Sequence, residues 1–142
     1  MAGAYEDAVE AALYTKLTGA SGLTSLLAGT ASVYSYLAPE NDNPPYVVYG
    51  AQSNVPAYTL AGTAFENSLY LVKAVALGPN MSQAGSIAKQ IDVALNDQSL
   101  SITGYTHMLC RRESSVRYTE VDPGGQRWNT AGFLFRIQAD PT

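Results

Sequence analysis

Across residues 81–95 apolar side chains recur every three or four positions, placing Met81, Ala84, Ile87, Ala88, Ile91, Ala94 and Leu95 on one stripe. That period is the α-helix's own and predicts a helix with a single buried side. Asn80, three residues ahead of Gln83, is placed to cap its start. A second helix is predicted over residues 5–18, where Val9, Leu13 and Leu17 repeat at four-residue spacing. Glu6, Asp7, Glu10 and Lys16 take its other sides, and the early acids suit the positive end of a helix dipole. Gly19 and Gly22 break that helix, and Leu23, Leu26 and Leu27 predict one more short helical turn, closed by Gly29.

Elsewhere the period drops to two. Over residues 128–139, Ala131, Phe133, Phe135, Ile137 and Ala139 share one side, and Thr130, Leu134, Arg136 and Gln138 share the other. In residues 65–77, Leu69, Leu71 and Val75 alternate with Tyr70, Val72 and Ala74, so partial cover is expected on both faces. Shorter strands are predicted over 32–37, 46–49, 107–112 and 117–121, from their β-branched and aromatic content. Residues 39–45, with Asp42 as turn chemistry, and Asp122-Pro123-Gly124-Gly125 read as turns. Ser53 to Gly62 has no period and contains Pro56, so it reads as an exposed loop. Helices and strands are segregated along the chain. This predicts an α+β fold, a largely antiparallel sheet with two main helices packed on one face. The two matched stripes predict that Ile87, Ile91 and Leu95 pack on Phe133, Phe135 and Ile137.

A chain of 142 residues fits a single domain, 1–142, with roughly 68–70% of its unfolded surface buried. Hydrophobic residues form 46% of it and charged ones only 14%, well below the usual ~25%. Weakly charged surface tends to associate, so cover by partner chains is expected. The net charge of −4 is unevenly spread. Up to residue 100, Lys16, Lys73 and Lys89 are the only bases, whereas Arg111, Arg112, Arg117, Arg127 and Arg136 all follow it. No basic block offers the phosphate neutralisation that nucleic-acid affinity requires. The arginines either line a protein interface or pair with acids on a solvated sheet.

Little catalytic chemistry is on offer. His107 is the only histidine and Cys110 the only cysteine, so neither a disulfide nor a cysteine-based zinc site can form within the chain. They lie three apart in a predicted strand, where alternation would send them to opposite sides. No phosphate-cradling glycine motif occurs. No catalytic, cofactor or metal residue is therefore expected, and no membrane contact: no apolar run nears ~20 residues, and Met1 to Asp7 lacks a basic start. Ten tyrosines, Tyr34, Tyr36, Tyr46, Tyr49, Tyr58 and Tyr70 among them, fit core and interface packing. Trp128 is either a core residue or an interface anchor. From Ala51 to Phe65 there is no charge, yet Val55, Tyr58 and Leu60 are present. The segment from Ser53 to Ala64 is thus expected to dock to a partner and to order only on assembly, or else to fold back over the chain's own sheet edge. Candidate interface residues are Tyr58, Leu60, Arg111, Arg112, Arg117, Arg127 and Trp128.

One ordered set of segments resembles a known family. A first helix ends in small residues and leads to Val33-Tyr34, an Asn/Pro loop and Pro45-Tyr46-Val47-Val48. Leu69-Tyr70-Leu71-Val72 follows, then an Ala/Ile helix ending Ala94-Leu95, then Arg117-Tyr118, a glycine turn and Phe135-Arg136-Ile137. Across roughly residues 5–139 this resembles the tail-completion, or tail-terminator, proteins of long-tailed bacteriophages and phage-like particles. The resemblance implies a homo-hexameric ring that caps the head-proximal end of the tail tube, with the tail tube protein and a neck or connector protein as partners. DNA would pass through the lumen without specific binding. The implied place is the virion's tail–neck junction, after synthesis in the host bacterial cytoplasm. Alternatives are another neck component, a connector adaptor or stopper, and, from a different class, a small α+β ligand-binding protein or enzyme with His107 near an acid in a closed cavity.

Overall fold

The computed structural model describes residues 2–29, 32–40 and 43–141. Its elements are helices α1 (Ala2–Thr18), α2 (Ser21–Thr24) and α3 (Ser82–Leu95), with strands β1 (Val33–Ser35), β2 (Tyr46–Asn54), β3 (Ala57–Thr59), β4 (Gly62–Leu77), β5 (Tyr105–Val121) and β6 (Arg127–Pro141). They form one six-stranded sheet in the order β1-β2-β4-β6-β5, with β3 paired to β4. Only β1 and β2 run parallel; every other pairing is antiparallel. The expected α+β architecture is present.

The core lies between the helices and one face of the sheet. Ile87, Ile91 and Leu95 of α3 are fully buried with Phe135 and Ile137 of β6, and Phe133 packs at their margin, as the two stripes predict. From α1, Val9, Leu13 and Leu17 join the same cluster. Tyr5 is buried too, its hydroxyl 2.8 Å from Ser68 Oγ and donating to the Ile137 carbonyl. Helix α3 carries the chain from β4 to β5, strands that lie on either side of β6. Between them, Gly132 of β6 lets the backbone of β4 come close: a β-carbon there would stand 2.2 Å from the Val72 carbonyl oxygen.

Several local expectations are corrected. Helix α1 begins at Ala2, so Glu6 and Asp7 lie beyond its first turn and do not sit at its positive end. Asn80 Oδ1 accepts the Ser82 N–H, but Gln83 returns no bond to complete a capping box. The strand expected over 32–37 is confined to Val33–Ser35, because Tyr36 takes a positive φ of 64° and leaves the extended region. The two short strands near 107 and 117 are a single long β5 with bulges at His107–Leu109 and Arg112–Ser114. Most consequentially, Ser53 to Gly62 is not a loop. Strand β2 continues to Asn54, and Ala57–Thr59 folds onto Gly62–Phe65 as a hairpin that turns at Leu60-Ala61. Asp42, read as turn chemistry, lies outside the described residues.

Candidate interface surfaces

Cross-strand partners share a face of a sheet, so the register sorts the side chains. Tyr70, Val72 and Ala74 of β4 lie under the helices with Phe133, Phe135 and Ala131 opposite them on β6. Their neighbours Leu69, Leu71 and Lys73 point the other way, opposite Arg136, Leu134 and Gly132. Val48 and Val116 extend that second face across β2 and β5. Neither buried core cluster contains Val48, Leu69, Leu71, Val116 or Leu134; Val48 is buried and the other four are half-buried. Helices cover one face of the sheet, and the other mixes these apolar side chains with Asn67, Lys73, Thr130, Arg136 and Gln138.

The β3–β4 hairpin extends beyond the body. Tyr58 and Leu60 are 71% and 111% exposed, and β3 pairs with nothing but β4. The turn is held by Thr59, whose Oγ1 accepts the Ala61 N–H and donates to the Gly62 carbonyl. The segment therefore has its own pairing within the single chain, which replaces the expectation that it orders only on assembly. It also does not fold back over the sheet edge.

Strand β5 forms one border of the sheet, and from Arg111 to Val121 only Val116 is even partly buried. Three arginines of this region are ion-paired. Arg111 meets Asp97 at 2.9 Å, Arg112 meets Asp92 at 3.2 Å, and Arg136 grips both oxygens of Glu113 at 2.7 and 2.9 Å. Arg112 also stacks over the Phe133 ring, and Arg127 donates to the Pro79 carbonyl. Arg117 differs: its guanidinium lies beside Gly85 of α3 and meets no carboxylate among the described residues. Trp128 is half-buried and belongs to neither core cluster. Its indole donates to Asp122 at 2.9 Å and so ties the β5–β6 turn. That bond, with those from the Gln126, Gly124 and Gly125 amides, holds the Asp122 carboxyl below the usual aspartate range.

The bulge at His107–Leu109 resets the alternation of β5. His107 opposes Ala139 and Cys110 opposes Ile137, so both lie on the helix side, contrary to the opposite-face expectation. They still do not make a nucleophile–base pair. Cys110 is 2% exposed, and burial pushes its thiol up to about 12. His107 Nδ1 accepts the Leu100 N–H at 3.3 Å, and burial, then Lys16, lowers its pKa. An acid does lie near: Asp97 lines the same open depression of about 310 Å³, where its Oδ1 is taken by Arg111. The larger groove, about 620 Å³ between α1 and the segment after α3, has Lys16 as its one titratable side chain. No group of His, Cys, Asp or Glu suited to a metal ion occurs among the described residues. No described helix is long and apolar enough to cross a membrane.

Sequence reasoning missed two features. Lys73, the lone cation of β4, lies on that other face with its ammonium 3.2 Å from the Tyr118 hydroxyl. Glu10 accepts the Tyr36 hydroxyl at 2.6 Å and the Tyr70 hydroxyl at 3.2 Å. Burial, then the Glu10 charge, raises the Tyr70 pKa. Only the four-residue step from Glu6 to Glu10, which puts both on one side of α1, could have signalled the second.

Comparison with known proteins agrees with this fold. The model of a family described as tail completion protein gp17 matches residues 11–137. Among solved structures, a chain in the virion of a native gene transfer agent particle aligns with TM-score 0.79 at 18% identity, over 96% of this chain and 97% of its own. A second solved chain aligns with TM-score 0.59 at 15% identity, over 96% and 94%. No curated protein matches.

Proposed function

The chain belongs to the tail completion protein gp17 family, and we propose that it is a structural virion protein whose copies close into a hexameric ring on the head-proximal end of the tail tube. The observation that carries this reading is the hairpin that holds Tyr58 and Leu60 exposed, beside a sheet face whose Leu and Val are only half-buried and lie outside the core between helices and sheet. A sheet face rich in Leu and Val is normally buried against another layer, and in a small virion protein that layer is supplied by other chains. The shared fold with a chain of a gene transfer agent virion supports placement in such a particle. A head-to-tail contact closes only at a fixed rotation, so a closed ring also stops growth. The β3–β4 hairpin docks to the tail tube protein, and the ring's other side receives the neck or connector protein, while DNA passes through the lumen unbound.

Light scattering on the purified protein, with negative-stain imaging, tests this. The reading expects particles of about six chain masses with a central hole. A monomer at all concentrations overturns the ring. In tail joining, Tyr58→Ala with Leu60→Ser should abolish docking and leave the unfolding free energy within about 1 kcal/mol of wild type, since both side chains are exposed. A variant that unfolds readily but still joins would place the hairpin in the core.

A further inference from the structure

Folding gathers four carboxylates without ion pairs at one border of the sheet and two cations without carboxylates at the other. Strand β1 is one border of the sheet and β5 the other. On the β1 flank, Glu10 of α1 lies against Tyr36, the residue that follows β1. Glu6 stands one turn away on the same side, Asp7 is exposed next to it, and Glu40 is exposed in the connection leaving β1. None of these four carboxylates is ion-paired within the described chain. Lys16, the only cation of α1, lies elsewhere, in the groove facing the segment after α3.

On the β5 flank Asp92, Asp97 and Glu113 are matched by Arg112, Arg111 and Arg136, and Glu120 is exposed without an ion pair; Arg117 and Lys89 remain as cations that no carboxylate of the described residues meets. Gly85, Lys89 and Asp92 recur at i, i+4 and i+7 along the side of α3 that faces β5. Arg117 reaches across to Gly85 and Arg112 to Asp92. Asp92 Oδ2 is thus ion-paired within the chain, although its Oδ1 is buried with no hydrogen-bond partner among the described residues. Arg117 and Lys89 stay exposed without a carboxylate. The lack of a side chain at Gly85 is what lets the Arg117 guanidinium lie flat there, with its nitrogen 3.2 Å from the position a β-carbon would take.

We propose that these flanks are the contact between neighbouring copies, the Arg117–Lys89 side of one chain receiving the Glu6–Asp7–Glu40 side of the next. The occupant of each flank is a second copy of this chain. Unlike patches at opposite borders make a heterologous contact, the kind that generates rings. Opposite potentials on the two patches select this register and speed encounter, and like flanks repel. The inference rests on the ring reading and adds to it the surfaces that close the ring.

The test uses two surface variants of the whole chain, Lys89→Glu with Arg117→Glu, and Glu6→Lys with Asp7→Lys and Glu40→Lys. The first has two acidic flanks; in the second, three lysines outweigh Glu10 on the β1 flank, so both flanks are basic. Each alone should need about tenfold or more protein to assemble than wild type, followed by sedimentation, with melting curves showing both folded. Mixed in equal amounts they should restore rings, because an alternating ring of even number again sets every acidic flank against a basic one. Wild-type assembly should also weaken as ionic strength rises. Wild-type rings with variants that assemble equally well, or mixing that restores nothing, would overturn the flank contact and leave the ring reading standing. A wild type that never forms rings overturns both.

Discussion

Gly132 has no space for a side chain. A β-carbon there would lie 2.2 Å from the Val72 carbonyl oxygen and 2.5 Å from the Lys73 Cα, both backbone atoms that cannot turn aside. Gly132→Ala must therefore separate β6 from β4 at the centre of the sheet. Overpacking of this kind costs about 1–3 kcal/mol, and a loss in that range is expected in denaturant melts. Asp122 offers a gentler test. Its carboxyl is held low first by the Trp128 indole and then by turn amides. A depressed folded-state pKa contributes stability above the ordinary aspartate value, and that contribution is lost as pH falls through the folded value. Trp128→Phe removes the largest of these donors, so the Asp122 titration followed by NMR should move upward, toward 3.8. An unchanged midpoint would mean that the backbone amides alone set it.

Helix α3 is the element on which the fold depends most. Ile91 is fully buried between α1, α3 and the sheet, and Ile91→Ala should cost about 2–5 kcal/mol as a cavity. A loss under about 1 kcal/mol in the same melts would mean that the stripe faces a partner. This helix was fully legible in the sequence because one period runs through seven apolar positions and only one side is covered. Strand β6 was legible for the same reason at period two. The hairpin from Asn54 to Phe65 was not. Its β3 is three residues long and pairs on one side only, so no buried face imposes alternation on Ala57, Tyr58 and Thr59. The bulge after His107 was invisible as well, since an extra residue in a ladder leaves no mark in composition but reverses every face beyond it. As for the candidate interface, the uncharged stretch and the arginine cluster were visible. Which arginines already had partners depended on Asp92, Asp97 and Glu113 arriving from other segments, and so on the tertiary fold.

At the scale of the whole molecule, charge decides how the assembly treats DNA. Each chain carries a net charge of −4, which the proposed six-copy ring would multiply. Non-specific DNA binding comes almost entirely from lysines and arginines that neutralise phosphates and release counterions. Here Arg111, Arg112 and Arg136 are held by Asp97, Asp92 and Glu113, which lowers the positive field they show to a phosphate. Arg117 and Lys89 are the basic groups left open on the β5 flank, and the proposed contact between copies covers them. Assembly should therefore make the protein less able to hold DNA than the free chain, as the proposed ring, with DNA passing through its lumen, would require. In a gel-shift assay with a short duplex at about 50 mM salt, where phosphate contacts are strongest, wild-type rings should give no shift at concentrations up to about 10⁻⁵ M, within the range of ordinary non-specific binding. The Glu6→Lys, Asp7→Lys, Glu40→Lys variant, unassembled and with its basic flanks open, should bind detectably and lose that binding as salt rises. Retention of DNA by the wild-type ring with a steep salt slope would show a basic lumen, and would turn the passage reading into one of DNA holding.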